Sequence, residues 1–180
     1  MKITIQPAKL DYVEGFLMAL DVVARERKYL LFTEAPPMDE TIEFVKKIIA
    51  KEWSQFYALD GEKVVGWCDV GRNERTGMTH SGHLGMGVIP EYRGMGIGQR
   101  LLEATMADAF SKGIERIEME AFASNEAAIC LYRKMGFVEE GRKRKARFLD
   151  GNYDDFILMA LLGEKPGVEP ASLRSAVHGG

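Results

Sequence analysis

Three glycines at alternate positions, Gly94, Gly96 and Gly98, connect a predicted strand at residues 79–89 to a segment with helical periodicity. Glycine lets backbone N–H groups crowd together because it has no Cβ, and a helix that begins near Gly96 adds unpaired N–H groups and the positive end of its dipole. The sequence therefore predicts a strand, a turn and a helix N-terminus that together form a site for an anion such as a pyrophosphate.

Two well-known phosphate-binding motifs have a different spacing from this turn. A Walker A loop ends in Gly-Lys-Ser/Thr, and no Lys-Ser/Thr pair follows Gly98. The dinucleotide fingerprint is Gly-x-Gly-x-x-Gly, whereas the glycines here lie at positions 94, 96 and 98. Neither nucleotide motif fits, and the alternative to an anion site is a purely structural tight connection.

The period of the apolar residues changes several times along the chain. Residues 2–6 alternate as a strand, and two helical patterns follow, the second with a predicted apolar stripe of Met38, Ile42, Val45 and Ile49. Asp60-Gly61 and Asp150-Gly151 are hairpin signals. The whole pattern predicts the order β-α-α-β-β-β-α-β-α-β-β, an α/β protein with a mixed sheet and helices on both of its faces.

Length and charge limit the domain organisation and the partners. The 180 residues are 46% hydrophobic, enough for one core, so we expect one domain over residues 1–162 and a flexible tail over residues 163–180. The net charge of −3 gives little attraction for a duplex nucleic acid. We therefore expect no nucleic-acid partner.

Cysteine usage and the N-terminal residues indicate the compartment. Cys68 and Cys130 lie in apolar surroundings without ligand-like spacing, so both are predicted to be small core residues in a reducing environment. Residues 1–7 fit a short strand better than a signal peptide, and no apolar run has membrane-spanning length. We expect a cytoplasmic protein with no membrane partner.

A second motif, in residues 124–137, makes the interpretation of the glycine turn more specific. Residues 124–137 contain Asn125, Ala128, Leu131-Tyr132 and Gly136-Phe137, which is similar to the Asn-x-x-Ala-x-x-Leu-Tyr-x-x-x-Gly-Phe segment of the GNAT (Gcn5-related) N-acetyltransferases. The glycine turn likewise resembles their Arg/Gln-x-x-Gly-x-Gly/Ala loop. The resemblance covers residues 3–162 as an architecture and 86–137 at residue level. It implies a GNAT-like, mostly antiparallel sheet of about seven strands.

The resemblance implies acetyl-CoA as co-substrate. Because the chain has three histidines that form no cluster in the sequence, we expect no metal ion. Strand backbone groups are expected to bind the pantetheine arm, the glycine turn the pyrophosphate, and Asn125 the region near the sulfur. We also expect a β-bulge near residues 85–87 to open a gap for the thioester. The expected cofactor-binding residues are Met86, Gly87, Val88, Arg93, Gly94, Met95, Gly96, Ile97, Gly98, Gln99, Asn125 and Tyr132.

Attack on a thioester requires a neutral amine and a stabilised leaving group. Freeing the lone pair of a lysine-like amine at pH 7 costs about 4.6 kcal/mol, against about 1.4 kcal/mol for an α-amino group. The resemblance assigns Glu120 as the general base and Tyr132 as the group that hydrogen-bonds or protonates the thiolate. Glu118, on the same face of its strand, and His83 are the reserve candidates for the base. For Glu120 the alternative is a cross-strand ion pair, and for Tyr132 a core position.

The resemblance implies an acceptor site between the loop at residues 25–38 and the last hairpin at residues 147–154. The basic run at 140–147 is predicted to lie mainly on a solvated strand edge. That hairpin resembles the bacterial branch that includes ribosomal-protein, amino-acid and polyamine acetyltransferases. These features predict an N-acetyltransferase that works through a direct ternary complex on a primary amine. The alternatives are a peptide N-terminal or ribosomal-protein acetyltransferase specifically, or a non-catalytic acyl-CoA-binding regulatory module. A homodimer is left open.

Overall fold

The computed structural model describes residues 2–163. The order of elements is the one that the apolar periodicity predicts, with two 3-10 turns added at Leu10–Tyr12 and Pro90–Tyr92. The elements are β1 (Ile3–Pro7), α1 (Val13–Arg25), α2 (Met38–Ala50), β2 (Ser54–Asp60), β3 (Lys63–Arg72), β4 (Ser81–Val88), α3 (Ile97–Ser111), β5 (Arg116–Phe122), α4 (Glu126–Lys134), β6 (Val138–Leu149) and β7 (Asn152–Leu162).

The seven strands form one sheet in the order β1-β2-β3-β4-β5-β7-β6. All neighbouring pairs are antiparallel except β4 and β5. Both predicted hairpins are confirmed: Asp60 pairs with Lys63 around Gly61, and Leu149 pairs with Asn152 around Asp150 and Gly151. A φ near +51° at Asp150 and +78° at Gly151 is the conformation that a two-residue hairpin turn requires.

Alternate residues of β3 pack against helices on opposite faces of the sheet. On one face, Phe16 of α1 stacks on Tyr57 of β2 at 5.3 Å and meets Trp67 of β3 edge-on at 5.7 Å between ring centroids. On the other face, the Thr105 hydroxyl of α3 donates to the Cys68 carbonyl at 3.4 Å. The prediction of helices on both faces is therefore confirmed.

The parallel pair is short, and this opens the sheet. β4 pairs with β5 only from Ser81↔Arg116 to His83↔Glu118, and beyond His83 the two strands separate. The expected bulge at residues 85–87 was wrong, because β3 and β4 stay in unbroken register from Gly66↔Val88 to Arg72↔Gly82. The gap opens because β5 diverges from β4, while β4 itself remains regular.

Two predictions about the core need correction. The buried face of α2 consists of Thr41, Val45 and Ile48, while Met38 and Ile49 are 37% and 45% exposed. Thr41 can be buried because its hydroxyl donates to the Pro37 carbonyl at 3.1 Å, which satisfies the polar group on the buried face. Cys68 is buried as expected, but Cys130 is exposed on α4, because it lies on the side of that helix turned away from the sheet.

Within residues 2–163, each helix is too short or too polar to cross a membrane. The tail predicted for residues 163–180 lies outside the described residues, apart from Gly163, whose N–H donates to the Glu115 carbonyl at 2.8 Å.

Candidate active site

A cavity of about 580 Å³ passes through the gap between β4 and β5. On the α1 side it is bounded by residues 29–32 of the α1–α2 loop, and on the α3 side by the glycine turn and by α4. The predicted cofactor-binding residues all line this cavity except Met95, whose side chain is 52% exposed. Glu120 and His83 line it as well.

The glycine turn presents free backbone donors to one end of the cavity. Gly94 and Gly96 both have φ of +74°, a conformation that side chains other than glycine rarely adopt, and Gly96 is the N-cap of α3. The first hydrogen bond of the helix runs from the Arg100 N–H to the Gly96 carbonyl at 3.2 Å. The N–H groups of residues 97–99 have no backbone partner among the described residues, so they can bind an anion.

Arg93 lies beside this turn but its guanidinium is already engaged. Its Nη1 donates to the Glu26 carboxylate at 2.8 Å, its Nη2 bonds the other oxygen of Glu26, and its Nε donates to the Val88 carbonyl at 2.8 Å. The guanidinium also lies 4.8 Å from the ring of Tyr29. Arg93 therefore links the strand end to the C-terminal end of α1.

The side chain of Gln99 connects α3 to α4. Its amide donates to Glu103 at 2.8 Å and accepts from the Lys134 ammonium, also at 2.8 Å. Lys134 was not predicted from the sequence, although it places a positive charge near the free N–H groups of α3. A lysine in the last turn of the helix that carries the Leu-Tyr motif was the available signal.

The edge of β4 that faces the gap supplies further backbone groups, because Met86, Gly87 and Val88 pair only with β3. The Val88 carbonyl also accepts from Arg93, as described above. Gly87 is required here, since a Cβ at that position would lie 2.3 Å from the indole of Trp67. The strand edge can therefore pair with an extended, amide-containing ligand.

Asn125 and Tyr132 are brought to the cavity by α4. Asn125 caps the helix by accepting from the Ala128 N–H at 3.3 Å, and its Nδ2 has no partner among residues 2–163. Tyr132 is 5% exposed and packs on Phe137 at 5.7 Å. Burial, with a smaller contribution from Cys68, raises the pKa of the Tyr132 phenol above its ordinary value. The phenol is thus protonated at neutral pH and can donate.

Glu120 lines the cavity in an ion pair. Lys143 of β6 donates to its carboxylate at 2.5 Å, and the carboxylate is 31% exposed. The cross-strand pair anticipated as the alternative is present, and it does not remove Glu120 from the cavity wall. Of the two reserve candidates, Glu118 is bound to Arg116 at 3.1 Å and lies outside the lining, while His83 is exposed on the lining.

The two predicted walls of the acceptor site are joined by an ion pair. Arg27 of the α1–α2 loop binds Asp150 at the tip of the β6–β7 hairpin through two hydrogen bonds, of 2.6 and 2.9 Å. Leu30, Leu31 and Phe32, in the same loop as Arg27, line the cavity.

The basic run at residues 140–147 lies on β6, the edge strand of the sheet, as expected. Two of its members nevertheless turn inward: Lys143 reaches Glu120, and the Arg147 guanidinium lies 4.5 Å from the ring of Phe122. Phe122 and Phe156, in ring contact at 4.9 Å, complete the apolar wall and were missed in the sequence. Within residues 2–163, His, Cys, Asp and Glu side chains form no group of three or more that could hold a metal ion.

Comparison with known proteins relates this geometry to a family. The chain is 29% identical over 117 residues to N-alpha-acetyltransferase 30 from Schizosaccharomyces pombe, covering 63% of this chain and 77% of that protein. It is 36% identical over 74 residues to the [ribosomal protein bS18]-alanine N-acetyltransferase of Escherichia coli, covering 41% of this chain and 50% of the relative. The chain thus spans about half the length of this second relative.

A solved structure shows the same fold. The GNAT superfamily phosphinothricin acetyltransferase from Sinorhizobium meliloti, in complex with acetyl-CoA, superposes with a TM-score of 0.86 over 95% of this chain and 94% of its own, at 21% identity. The sequence profile of the acetyltransferase (GNAT) family matches residues 25–137, which is more than half of the chain. The chain therefore belongs to the acetyltransferase (GNAT) family.

Proposed function

We propose that this protein is an N-acetyltransferase that transfers an acetyl group from acetyl-CoA to a primary amine, in a direct ternary complex without a covalent enzyme intermediate. The observation that carries the proposal is the gap between β4 and β5, which has free helix N–H groups at one end and a phenol beside it. Acetyl-CoA supplies the activated acetyl thioester. The chain supplies binding, orientation and proton transfer.

The cofactor-binding residues are proposed to divide into three groups. The N–H groups of residues 97–99 and the φ of Gly94 and Gly96 favour the pyrophosphate at the start of α3. The free edge of Met86, Gly87 and Val88 suits the pantetheine amides, and the unpaired Nδ2 of Asn125 suits a carbonyl of the same arm. Because the guanidinium of Arg93 is already hydrogen-bonded to Val88 and Glu26, Arg93 is proposed to hold the glycine turn in place.

Tyr132 is proposed to donate to the thiolate as it leaves. Its hydroxyl has no hydrogen-bond partner within residues 2–163, and burial raises its pKa further above neutral, so that the hydroxyl is available as a donor. A phenol in this state stabilises a thiolate by a hydrogen bond or by proton transfer. Glu120 is proposed to contact the acceptor's amino group from the other side of the gap, with Lys143 fixing the orientation of its carboxylate.

The acceptor is proposed to be a small molecule or a protein N-terminus. The mostly apolar lining by Leu30, Leu31, Phe32, Phe122 and Phe156 favours a primary amine beside an apolar group. The names of the two relatives refer to α-acetylation and to an alanine substrate, and these names support the proposal that the acceptor is an α-amine. Cytoplasmic location and action without nucleic acid or membrane are part of the proposal, and the net charge of −3 supports the absence of a nucleic-acid partner. A homodimer stays a prediction that light scattering would test.

A thiol-release assay tests the function. Purified protein with acetyl-CoA is offered amino acids, polyamines, aminoglycosides and short peptides, and free thiol is measured over time. We expect amine-dependent release with at least one class. Binding of CoA without release for any of these amines would contradict the proposal and favour the regulatory module.

A further inference from the structure

Asp69 is a carboxylate in the middle of an otherwise apolar strand. It lies in β3 between Cys68 and Val70, and it faces Gln55 of β2 on one side and Gly85 of β4 on the other. The residue is half-buried, and none of the residues 2–163 donates a hydrogen bond to it. A carboxylate that is partly removed from water and has no hydrogen-bond donor lowers the stability of the fold, which suggests that it serves a function.

Asp69 itself is not among the residues that line the cavity, and Gly85 lies between its carboxylate and the cavity. The glycine lines the cavity, and a Cβ at its position would lie 3.4 Å from Oδ1 and 3.5 Å from Oδ2 of Asp69. The Asp69 side chain thus occupies the space beside β4 that a side chain at position 85 would otherwise take. A bare glycine at this position leaves the carboxylate next to the gap.

The surroundings of Asp69 are polar but unpaired. The Gln55 amide and the Tyr57 hydroxyl are buried on the same face of the sheet, and neither has a hydrogen-bond partner within the described chain. Burial raises the pKa of Asp69 to about 7 and also raises the pKa of Tyr57, to which Asp69 adds a smaller contribution. Near neutral pH the Asp69 carboxyl therefore exchanges a proton readily.

Other titratable groups lie on the strands and the helix around Asp69. His83 lies on β4 two residues from Gly85, and Glu118 and Glu120 follow on β5, each glutamate in its own ion pair. On α1, which covers this face, Asp21 and Arg25 bind each other at 2.6 Å. Burial is the cause of the change in the pKa of Asp69.

We propose that Asp69 is a catalytic residue of the acceptor site, where its carboxylate takes the proton from the ammonium group of the acceptor. This inference rests on the proposed acetyl transfer. Asp69 and Tyr132 lie on opposite faces of the sheet, because the side chain of Cys68, which alternates with Asp69 along β3, hydrogen-bonds Thr105 of α3 and lies close enough to Tyr132 to affect its pKa. A base and an acid on opposite sides of the thioester is the arrangement that the reaction requires.

The proton balance of the step is complete. The ammonium group gives one proton to Asp69, and the free amine nitrogen then forms a bond to the thioester carbonyl carbon. The bond between that carbon and sulfur breaks, and Tyr132 gives its proton to the leaving thiolate, so that CoA leaves as the thiol. The second proton lost by the nitrogen replaces the proton that Tyr132 gave up. Asp69 returns its proton to solvent. Glu120, held by Lys143, orients the amine.

The experiment compares the pH profiles of kcat/KM for Asp69→Asn and Glu120→Gln, with Glu62→Gln in the β2–β3 turn as the control. For Asp69→Asn we expect a loss of about 10²- to 10⁴-fold near pH 7, which shrinks as the pH approaches the pKa of the amine, because the amine then loses its proton unaided. Glu120→Gln should lose a similar factor at every pH. CoA affinity, measured by calorimetry, should not change in Asp69→Asn.

Three results would overturn the assignment of Asp69. The first is a wild-type profile in Asp69→Asn, the second is a loss independent of pH, and the third is a pH-dependent loss in Glu120→Gln alone, which would make Glu120 the base. Thermal unfolding of Asp69→Asn and its CoA affinity distinguish a chemical defect from misfolding. A wild-type protein that releases no thiol with any amine would refute the proposed function itself, whatever the variants show.

Discussion

The stability of Asp69→Asn at different pH values gives a direct measure of how unfavourable the buried carboxylate is. Burial raises the pKa of Asp69 from an ordinary 3.8 to about 7. The folded protein therefore holds a proton that the unfolded chain releases between these two values. For a group of this kind, stability is fully present below the unfolded pKa and is lost as the pH rises through the folded pKa.

The size of the effect follows from the two pKa values. Between pH 5 and pH 8 the wild-type protein should lose about 2.6 kcal/mol of unfolding free energy through this carboxyl alone. Asparagine has nearly the same shape and does not ionise, so the variant should escape this loss. From pH 5 to pH 8 the unfolding free energy of Asp69→Asn should therefore rise, relative to that of the wild type, by about 2.6 kcal/mol.

Urea unfolding followed by tryptophan fluorescence at pH 5, 6, 7 and 8 makes the measurement, since Trp67 lies next to Asp69 on β3 at the centre of the fold. Glu62→Gln, in the exposed turn between β2 and β3, is the matched control. Parallel pH curves for wild type and Asp69→Asn would show that the carboxylate is not desolvated, and would also remove one support for its catalytic assignment.

Three further predictions concern the glycine turn, the phenol and the arginine beside the turn. Gly96→Val forces a β-branched residue to a φ of +74° and should weaken CoA binding in calorimetric titration more than Arg93→Ala does, whereas unchanged affinity in a folded variant would refute the pyrophosphate assignment. Tyr132→Phe should leave CoA affinity nearly intact and lower kcat by about 10- to 10⁴-fold, and wild-type turnover would make Tyr132 a packing residue. Arg93→Ala and Glu26→Ala should each lower stability by about 1 kcal/mol with strong non-additivity in a double-mutant cycle, and additive losses would mean that the pair does not couple.

The sequence was sufficient where a local pattern determines a local structure. The glycine turn, the start of α3 and both hairpins follow from residues that are neighbours in the chain, and each is found as predicted. The order of elements follows in the same way from the apolar periodicity. The cavity itself follows from the place where β5 leaves β4, which only the folded sheet defines.

The features that could not be predicted from the sequence depend on contacts between segments that are far apart in the chain. Arg93 is bound by Glu26, 67 positions away, so a guanidinium that looked available for phosphate is already engaged. Lys143 binds Glu120 across 23 positions, and no periodicity specifies that pair. Asp69 was visible as a lone acid in an apolar strand, but its relation to the gap depends on the missing side chain of Gly85 across the sheet.

The ion pair between Arg27 and Asp150 has a consequence for the range of acceptors. Both side chains are well exposed, at 43% and 60%, so dissolved salt weakens their attraction and opening the pair requires little free energy. The proposal that the acceptor binds between this loop and the hairpin predicts that the end of a polypeptide requires the pair to open, whereas a free amino acid does not. Higher ionic strength should therefore favour the amino end of a polypeptide over a free amino acid as the acceptor. The preference of this protein between these two acceptors would then vary with the salt concentration around it.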